Sequence, residues 1–188
     1  MSEIINEILS RTESRMEKTK EVLRRDLAGI RTGRASPAFV KPIKVEYEGM
    51  IIPLEQLAMI SVPEPKLIVI QPWDKNAIPA IEKAILKSDL GVTPVVDGMV
   101  IKLPLPELTE ERRRELVKLV NKRVEEARIA VRNIRRDALE EIREKQRNKE
   151  ISEDEARRAQ NQLQKITDKF IEALNKLGKE KEAELMQL

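Results

Sequence analysis

The chain has no cysteine and no histidine among its 188 residues. These absences exclude disulfides, thiolate nucleophiles, zinc sites built on thiolate or imidazole, and imidazole acid–base chemistry. Aromatic residues make up only 2%, too few for an aromatic-filled core or for a platform on which single-stranded bases stack. No apolar run approaches the ~18 residues of a membrane span. The N-terminus, Met1-Ser2-Glu3-Ile4, lacks the basic and apolar regions of a signal peptide, so the expected location is the cytoplasm. No G-x-G-x-x-G or G-x-x-x-x-G-K-[ST] loop is present to cradle a nucleotide. No cofactor and no metal are expected.

What is abundant is aliphatic and charged. Hydrophobic residues reach 40% and charged residues 37%, a mixture that suits long amphipathic helices. The formal net charge is only +3, so the distribution of charge is more telling than its sum. Residues 37–106 hold 7 Lys, 8 acids and no Arg, and all 18 Arg lie in 1–36 and 107–188. All ten Pro fall between Pro37 and Pro106. The proline-free flanks are free to be helical over long distances. Guanidinium is the better group for bidentate phosphate contact, so the two parts have different tasks.

The first flank carries Ile5, Ile8, Thr12, Met16, Thr19, Leu23, Leu27 and Ile30 on one helical face. The spacing predicts a helix over about 2–31, stopping near Gly33. After Pro106, Thr109 is a candidate N-cap, with Glu110 and Glu111 at the positive end of the helix dipole. Leu116, Val120, Val124, Ala127, Val131, Ile134, Ala138 and Ile142 extend that helix to about 149. Ser152-Glu153-Asp154-Glu155 matches a capping box. It opens a third helix whose stripe is Ala156, Ala159, Leu163, Ile166, Phe170, Leu174 and Leu177. A short connection makes the last two helices antiparallel, and the three stripes close into a three-helix bundle.

The middle reads as short strands with one helix. Strands are expected at 43–47, 50–52, 58–62, 67–70 and 99–103, with a helix over 76–88. Glu48-Gly49 and Asp97-Gly98 are turn signals. The predicted class is therefore α+β: a bundle of residues 1–31 and 106–188, with an inserted β/α/β domain over 32–105. Thr32, Gly33, Pro104, Leu105 and Pro106 lie at the two crossings. They form either a hinge or a fixed elbow. Trp73 and Tyr47 are read as packing residues, either of the core or of the domain surface.

Candidate binding residues sit on the second helix. Arg128, Arg132 and Arg135 fall within an arc of about 60°, beside the apolar stripe, with Arg136 bordering them. A guanidinium ladder of this spacing suits an RNA backbone, whereas a charged face that merely meets water is the ordinary alternative. The run 128–136 contains no Asp or Glu, although the chain has 33 of them. Arg31 and Arg34 flank Gly33, which can take positive φ at the helix end. An ordinary C-cap with two solvated arginines is the other reading. Arg112-Arg113-Arg114 reads as a solvated helix start.

Several segments resemble the bacterial ribosome recycling factor family. They are Ile30-Arg31-Thr32-Gly33-Arg34-Ala35-Ser36-Pro37, Glu82-Lys83-Ala84-Ile85 with Ser88-Asp89-Leu90-Gly91, and Leu108-Thr109-Glu110-Glu111-Arg112-Arg113. Ala130-Val131-Arg132-Asn133-Ile134-Arg135-Arg136 and Lys181-Glu182-Ala183-Glu184-Leu185-Met186 complete the set, in family order over almost the whole chain. The run 91–98 departs from the family's Leu-Asn-Pro pattern. The resemblance implies an L-shaped two-domain molecule with a two-stranded hinge. It further implies a non-catalytic translation factor that is a monomer off the ribosome and binds large-subunit rRNA. Elongation factor G with GTP would then act with it to separate the spent ribosome into subunits. By the matching motifs Arg31, Arg132 and Arg135 would be rRNA contacts, with Arg128 and Arg34 as further candidates. A coiled-coil scaffold would instead show a long exposed apolar seam, and a carboxylate hydrolase would show two acids converging in a cleft.

Overall fold

The computed structural model describes residues 2–187. In chain order it contains α1 (Glu3–Ala28), a 3-10 turn at Pro37–Phe39, β1 (Lys44–Tyr47), β2 (Met50–Pro53) and a one-turn α2 (Leu54–Leu57). There follow β3 (Ala58–Glu64), β4 (Leu67–Pro72), a 3-10 turn at Lys75–Ala77, α3 (Ile78–Lys87), β5 (Val95–Asp97) and β6 (Val100–Pro104). The long α4 (Glu110–Arg147) and α5 (Glu153–Met186) close the chain.

The chain forms two compact units, Met1–Leu27 with Lys118–Glu182, and Ala28–Val117 with Ala183–Leu188. The division passes through the three long helices and not through the linkers at 31/32 and 105/106. Local contacts explain this within the second unit. Ile30 and Arg31 are buried, and Leu105 belongs to the sheet's core. Arg112 of the first turn of α4 donates to the Asp89 carbonyl at 2.8 Å.

In the first unit, α1, α4 and α5 bury one stripe each. The start of α4 belongs to the second unit, where Thr109 Oγ1 accepts from the Arg112 N–H at 3.0 Å as its N-cap. Ser152 Oγ accepts from the Glu155 N–H at 3.1 Å while Glu155 Oε1 accepts from the Ser152 N–H at 3.3 Å, a reciprocal capping box at the start of α5. Ile5, Ile8 and Leu9 of α1 pack with Ala138 and Ile142 of α4 and with Ala156, Ala159 and Leu163 of α5. Each such aliphatic side chain removed from water contributes about 1.5–3 kcal/mol for the larger members. The stripe of α5 drifts from the expected one. Thr167, Gly178 and Lys181 are buried, whereas Ile166 and Leu177 are half-buried. Thr167 hides its hydroxyl by donating to the Leu163 carbonyl at 2.8 Å. Gly178 is needed because a Cβ there would lie 2.8 Å from Val124 Cγ2. With the α1, α4 and α5 stripes buried, the described residues of this unit leave no long apolar seam for a scaffold.

In the second unit β3, β4, β6 and β5 form an antiparallel sheet in that order, and β1 pairs with β2 as a separate hairpin. Alternation decides its inner face: Ile68 pairs with Leu103 and Ile70 with Ile101, and all four are fully buried. Ile81 and Ile85 of α3 join the same core. Pro63, which cannot donate to a ladder, sits at the irregular end of edge strand β3. The β1–β2 turn has positive φ at both Glu48 and Gly49, the geometry that the Glu-Gly pair indicates. β5 and α2 were not expected. Their three and four residues are too short for a period to show, and β5 exists by pairing with β6.

Trp73 is 68% exposed and so lies on the surface, not in the core. Tyr47 donates its hydroxyl to Asp74 Oδ2 at 2.7 Å, and Asp74 also accepts from the Asn76 N–H at 2.9 Å. The hydrogen bond to Asp74 pushes the Tyr47 phenol up to about 12 from its usual 10.0. The neutral phenol is the favoured form. Its contribution is therefore present at neutral pH and is lost as pH climbs through the raised value. Tyr47 is the only tyrosine, so an ultraviolet titration should give one midpoint near 12, falling toward 10 in Asp74→Asn. A wild-type midpoint near 10 would show that the hydrogen bond does not form in solution.

Candidate nucleic-acid interface

The arginines of α4 lie where the helical period puts them, but their partners were not foreseen. Arg128 is held on two sides. Its Nη1 donates to Asn175 Oδ1 of α5 at 2.6 Å, and its Nε and Nη2 donate to Glu125 Oε2 at 2.9 and 2.6 Å. Arg132, whose side chain is 55% exposed, has Nη1 3.6 Å from Glu125 Oε1. Arg135 is half-buried and donates from Nε to Gln164 Oε1 of α5 at 3.1 Å, and Gln164 in turn donates to Asp168 Oδ1 at 2.8 Å. Arg136 is exposed, and no ion pair to it is present among the described residues. Arg128, chiefly through its hydrogen bonds, and then Arg132 bring the Glu125 carboxyl below the usual carboxylate range.

The partners differ by side of α4. Toward α5 the cross-helix acceptors, Asn175 and Gln164, are neutral amides that orient a guanidinium and leave its charge intact. Toward α1 the cross-helix contacts are ion pairs: Arg11 with Glu141 at 2.7 Å and Arg15 with Asp137 at 3.2 Å. Across the helix interfaces the cations thus meet amides on one side and carboxylates on the other, while Glu125 of α4 itself pairs with Arg128 and Arg132.

At the junction segment the outcome differs from the expectation. α1 stops at Ala28, so Arg31 is not a helix-end residue. It is 5% exposed, and its Nη2 donates to the Pro106 carbonyl at 2.6 Å while Nε donates to the Thr32 carbonyl at 3.3 Å. An exposed phosphate contact by Arg31 is not available in this arrangement. Burial, then the nearby Arg112 charge, lowers its pKa, yet arginine stays charged at neutral pH. Gly33 is not among the glycines with positive φ, and a Cβ there would meet nothing within 4 Å. Its expected role as a left-handed cap is therefore not realised. Arg34 is exposed. Thr32, Gly33, Pro104, Leu105 and Pro106 all lie inside the second unit. Two backbone bonds of 2.7 Å anchor this region, from Ala35 to the Pro65 carbonyl and from Leu105 to the Lys66 carbonyl. Of the three successive arginines, only Arg114 is a solvated helix-start residue. Arg112 caps Asp89, and Arg113 donates to the carbonyls of Leu185 at 3.2 Å and Gln187 at 2.9 Å.

Residues 23–186 match the family model described as ribosome recycling factor. The chain belongs to the ribosome recycling factor family. A ribosome-recycling factor of Roseiflexus sp. (strain RS-1) is 57% identical over 185 residues, 98% of this chain and 100% of that one. Its counterpart in Dehalococcoides mccartyi (strain CBDB1) is 55% identical over the same shares. Among solved structures, a solution structure of the ribosome recycling factor superposes with TM-score 0.75 at 52% identity, covering 100% of both chains. A second, TM-score 0.65 and 46% identical, covers 97% of this chain and 99% of that one. It belongs to models of the T. thermophilus ribosome recycling factor and the E. coli elongation factor G bound to the E. coli post-termination complex. The family's proteins are translation factors that recycle ribosomes, and this chain is one of them and not an enzyme. Among the described residues no helix is long and apolar enough to cross a membrane.

Asn175, Gln164 and Glu125 were missed in the sequence. Glu125 was legible, since it precedes Arg128 by one helical turn. Asn175 and Gln164 carry no local signal, because only the register between α4 and α5 brings them to the arginines.

Proposed function

We propose that the protein binds the post-termination ribosome through large-subunit rRNA and, with elongation factor G and GTP, promotes its separation into subunits. GTP hydrolysis belongs to the partner. Arg128, Arg132, Arg135 and Arg136 line the RNA-facing ridge, with Arg34 as an outlying contact. Arg31 acts from within, holding Thr32 and Pro106 together. The observation that carries this reading is the asymmetry of the cross-helix contacts around α4: toward α5, amides orient Arg128 and Arg135, whereas toward α1, carboxylates of α4 pair with Arg11 and Arg15. A phosphate backbone recognises pre-oriented guanidiniums; on this ridge Arg128 and Arg132 share the Glu125 carboxylate, while no ion pair to Arg135 or Arg136 is present among the described residues.

In this reading residues 1–31 and 106–188 form the rRNA-binding bundle and 32–105 the inserted domain. Thr32, Gly33, Pro104, Leu105 and Pro106 flex as a hinge. The protein works in the cytoplasm as a monomer off the ribosome. Family membership, and the relative placed with elongation factor G on the post-termination complex, support the partnership. The test is to add the protein, with elongation factor G and GTP, to post-termination ribosomes and follow subunit separation by light scattering. Separation above a control lacking the protein is expected. An unchanged trace would remove the recycling activity from this chain.

A further inference from the structure

The acid-free run 128–136 has a carboxylate waiting one turn before it. The two oxygens of Glu125 serve two arginines: Oε2 takes Nε and Nη2 of Arg128, and Oε1 lies 3.6 Å from Nη1 of Arg132. This is the geometry of a phosphate site already filled, because the two non-bridging oxygens of a phosphodiester would make the same pair of contacts. Arg128 is also anchored from the far side by Asn175 at 2.6 Å. Its guanidinium therefore keeps its place when the carboxylate leaves. Glu125 is 47% exposed and swings readily into water, since exposed ion pairs are weakly held.

We infer that Glu125 is an intramolecular stand-in for RNA phosphate, and that it sets how tightly the α4 ridge binds. The inference rests on the reading of Arg128 and Arg132 as phosphate contacts. Docking exchanges the carboxylate for a phosphodiester, and on departure the carboxylate returns. The cations are never left unpaired, and affinity stays below what bare arginines would provide. That moderation suits a factor that must leave the ribosome it has acted on.

The test compares Glu125→Gln with Glu21→Gln, measuring binding to purified large ribosomal subunits across a salt series. Glu21 holds Arg24 on α1 in a similar i,i+3 fork, with Arg24 Nε at 3.0 Å, and so controls for the change in net charge. Glu125→Gln is expected to tighten binding by about 3- to 10-fold and to steepen the log–log salt slope by about one. Glu21→Gln should change affinity less than about 2-fold. Glu125→Ala should act like Glu125→Gln, which separates loss of the carboxylate from any effect of the new amide. Binding by both Glu125 variants no tighter than by Glu21→Gln overturns the stand-in role. Arg132→Ala/Arg135→Ala is run alongside. If that variant binds like wild type, the phosphate reading itself falls. If it weakens while the Glu125 variants match the control, only the stand-in role is lost.

Discussion

Replacing Arg132 and Arg135 together with alanine is expected to weaken binding to the large ribosomal subunit by about 10- to 100-fold, with helix content unchanged. Each guanidinium that meets a phosphate releases a counterion on binding, so the log–log salt slope should shrink by about two. The fold should tolerate both changes. Arg132 has one long contact, 3.6 Å to Glu125, and is 55% exposed. Arg135 loses one surface bond, to Gln164 at 3.1 Å. Exposed contacts of this kind are worth about 0–1 kcal/mol. Arg11→Ala/Arg15→Ala makes the useful contrast. It removes the same charge from the side where cations are paired with Glu141 and Asp137. If the two double variants bind alike, the ridge is not the site and net charge alone governs affinity.

Phe170→Ala should cost about 3–5 kcal/mol of stability, the largest single-residue effect anticipated here. Phe170 is 2% exposed in a bundle otherwise built from aliphatic side chains, and nothing of comparable size can fill the void. Urea unfolding followed at 222 nm reads the effect, as a fall in midpoint with little change in slope. Trp73→Ala removes a still larger ring, but one that is 68% exposed, and it should shift stability by no more than about 0.5 kcal/mol. Equal costs for the two would mean that the bundle core relaxes around the missing ring and is not tightly packed.

Much of the site was legible because helical position is a local property. The 3.6-residue period placed Arg128, Arg132, Arg135 and Arg136 beside a buried stripe, and Val131 and Ile134 are indeed buried. What the period could not supply was the company each arginine keeps. Arg128 has Asn175 as its neighbour across 47 residues of sequence, and Arg135 has Gln164 across 29. Arg31 shows the same blindness in the other direction. Its motif suggested an exposed cation, but a carbonyl 75 residues away, that of Pro106, draws it into the interior.

The amino-acid sequence by itself determined where the long helices begin, which faces they bury and where the prolines confine the sheet. Those outcomes follow from interactions spanning four residues or fewer: the Thr109 cap, the Ser152–Glu155 box, and the alternation of Ile68, Ile70, Ile101 and Leu103. Tertiary structure alone decided that Val95–Asp97 becomes a strand and that Gly178 is needed against Val124. It also decided which arginines keep their charge available. Each of these depends on register between segments far apart in the chain. Register is settled by burial and hydrogen bonding across the whole fold, not by the residues next door.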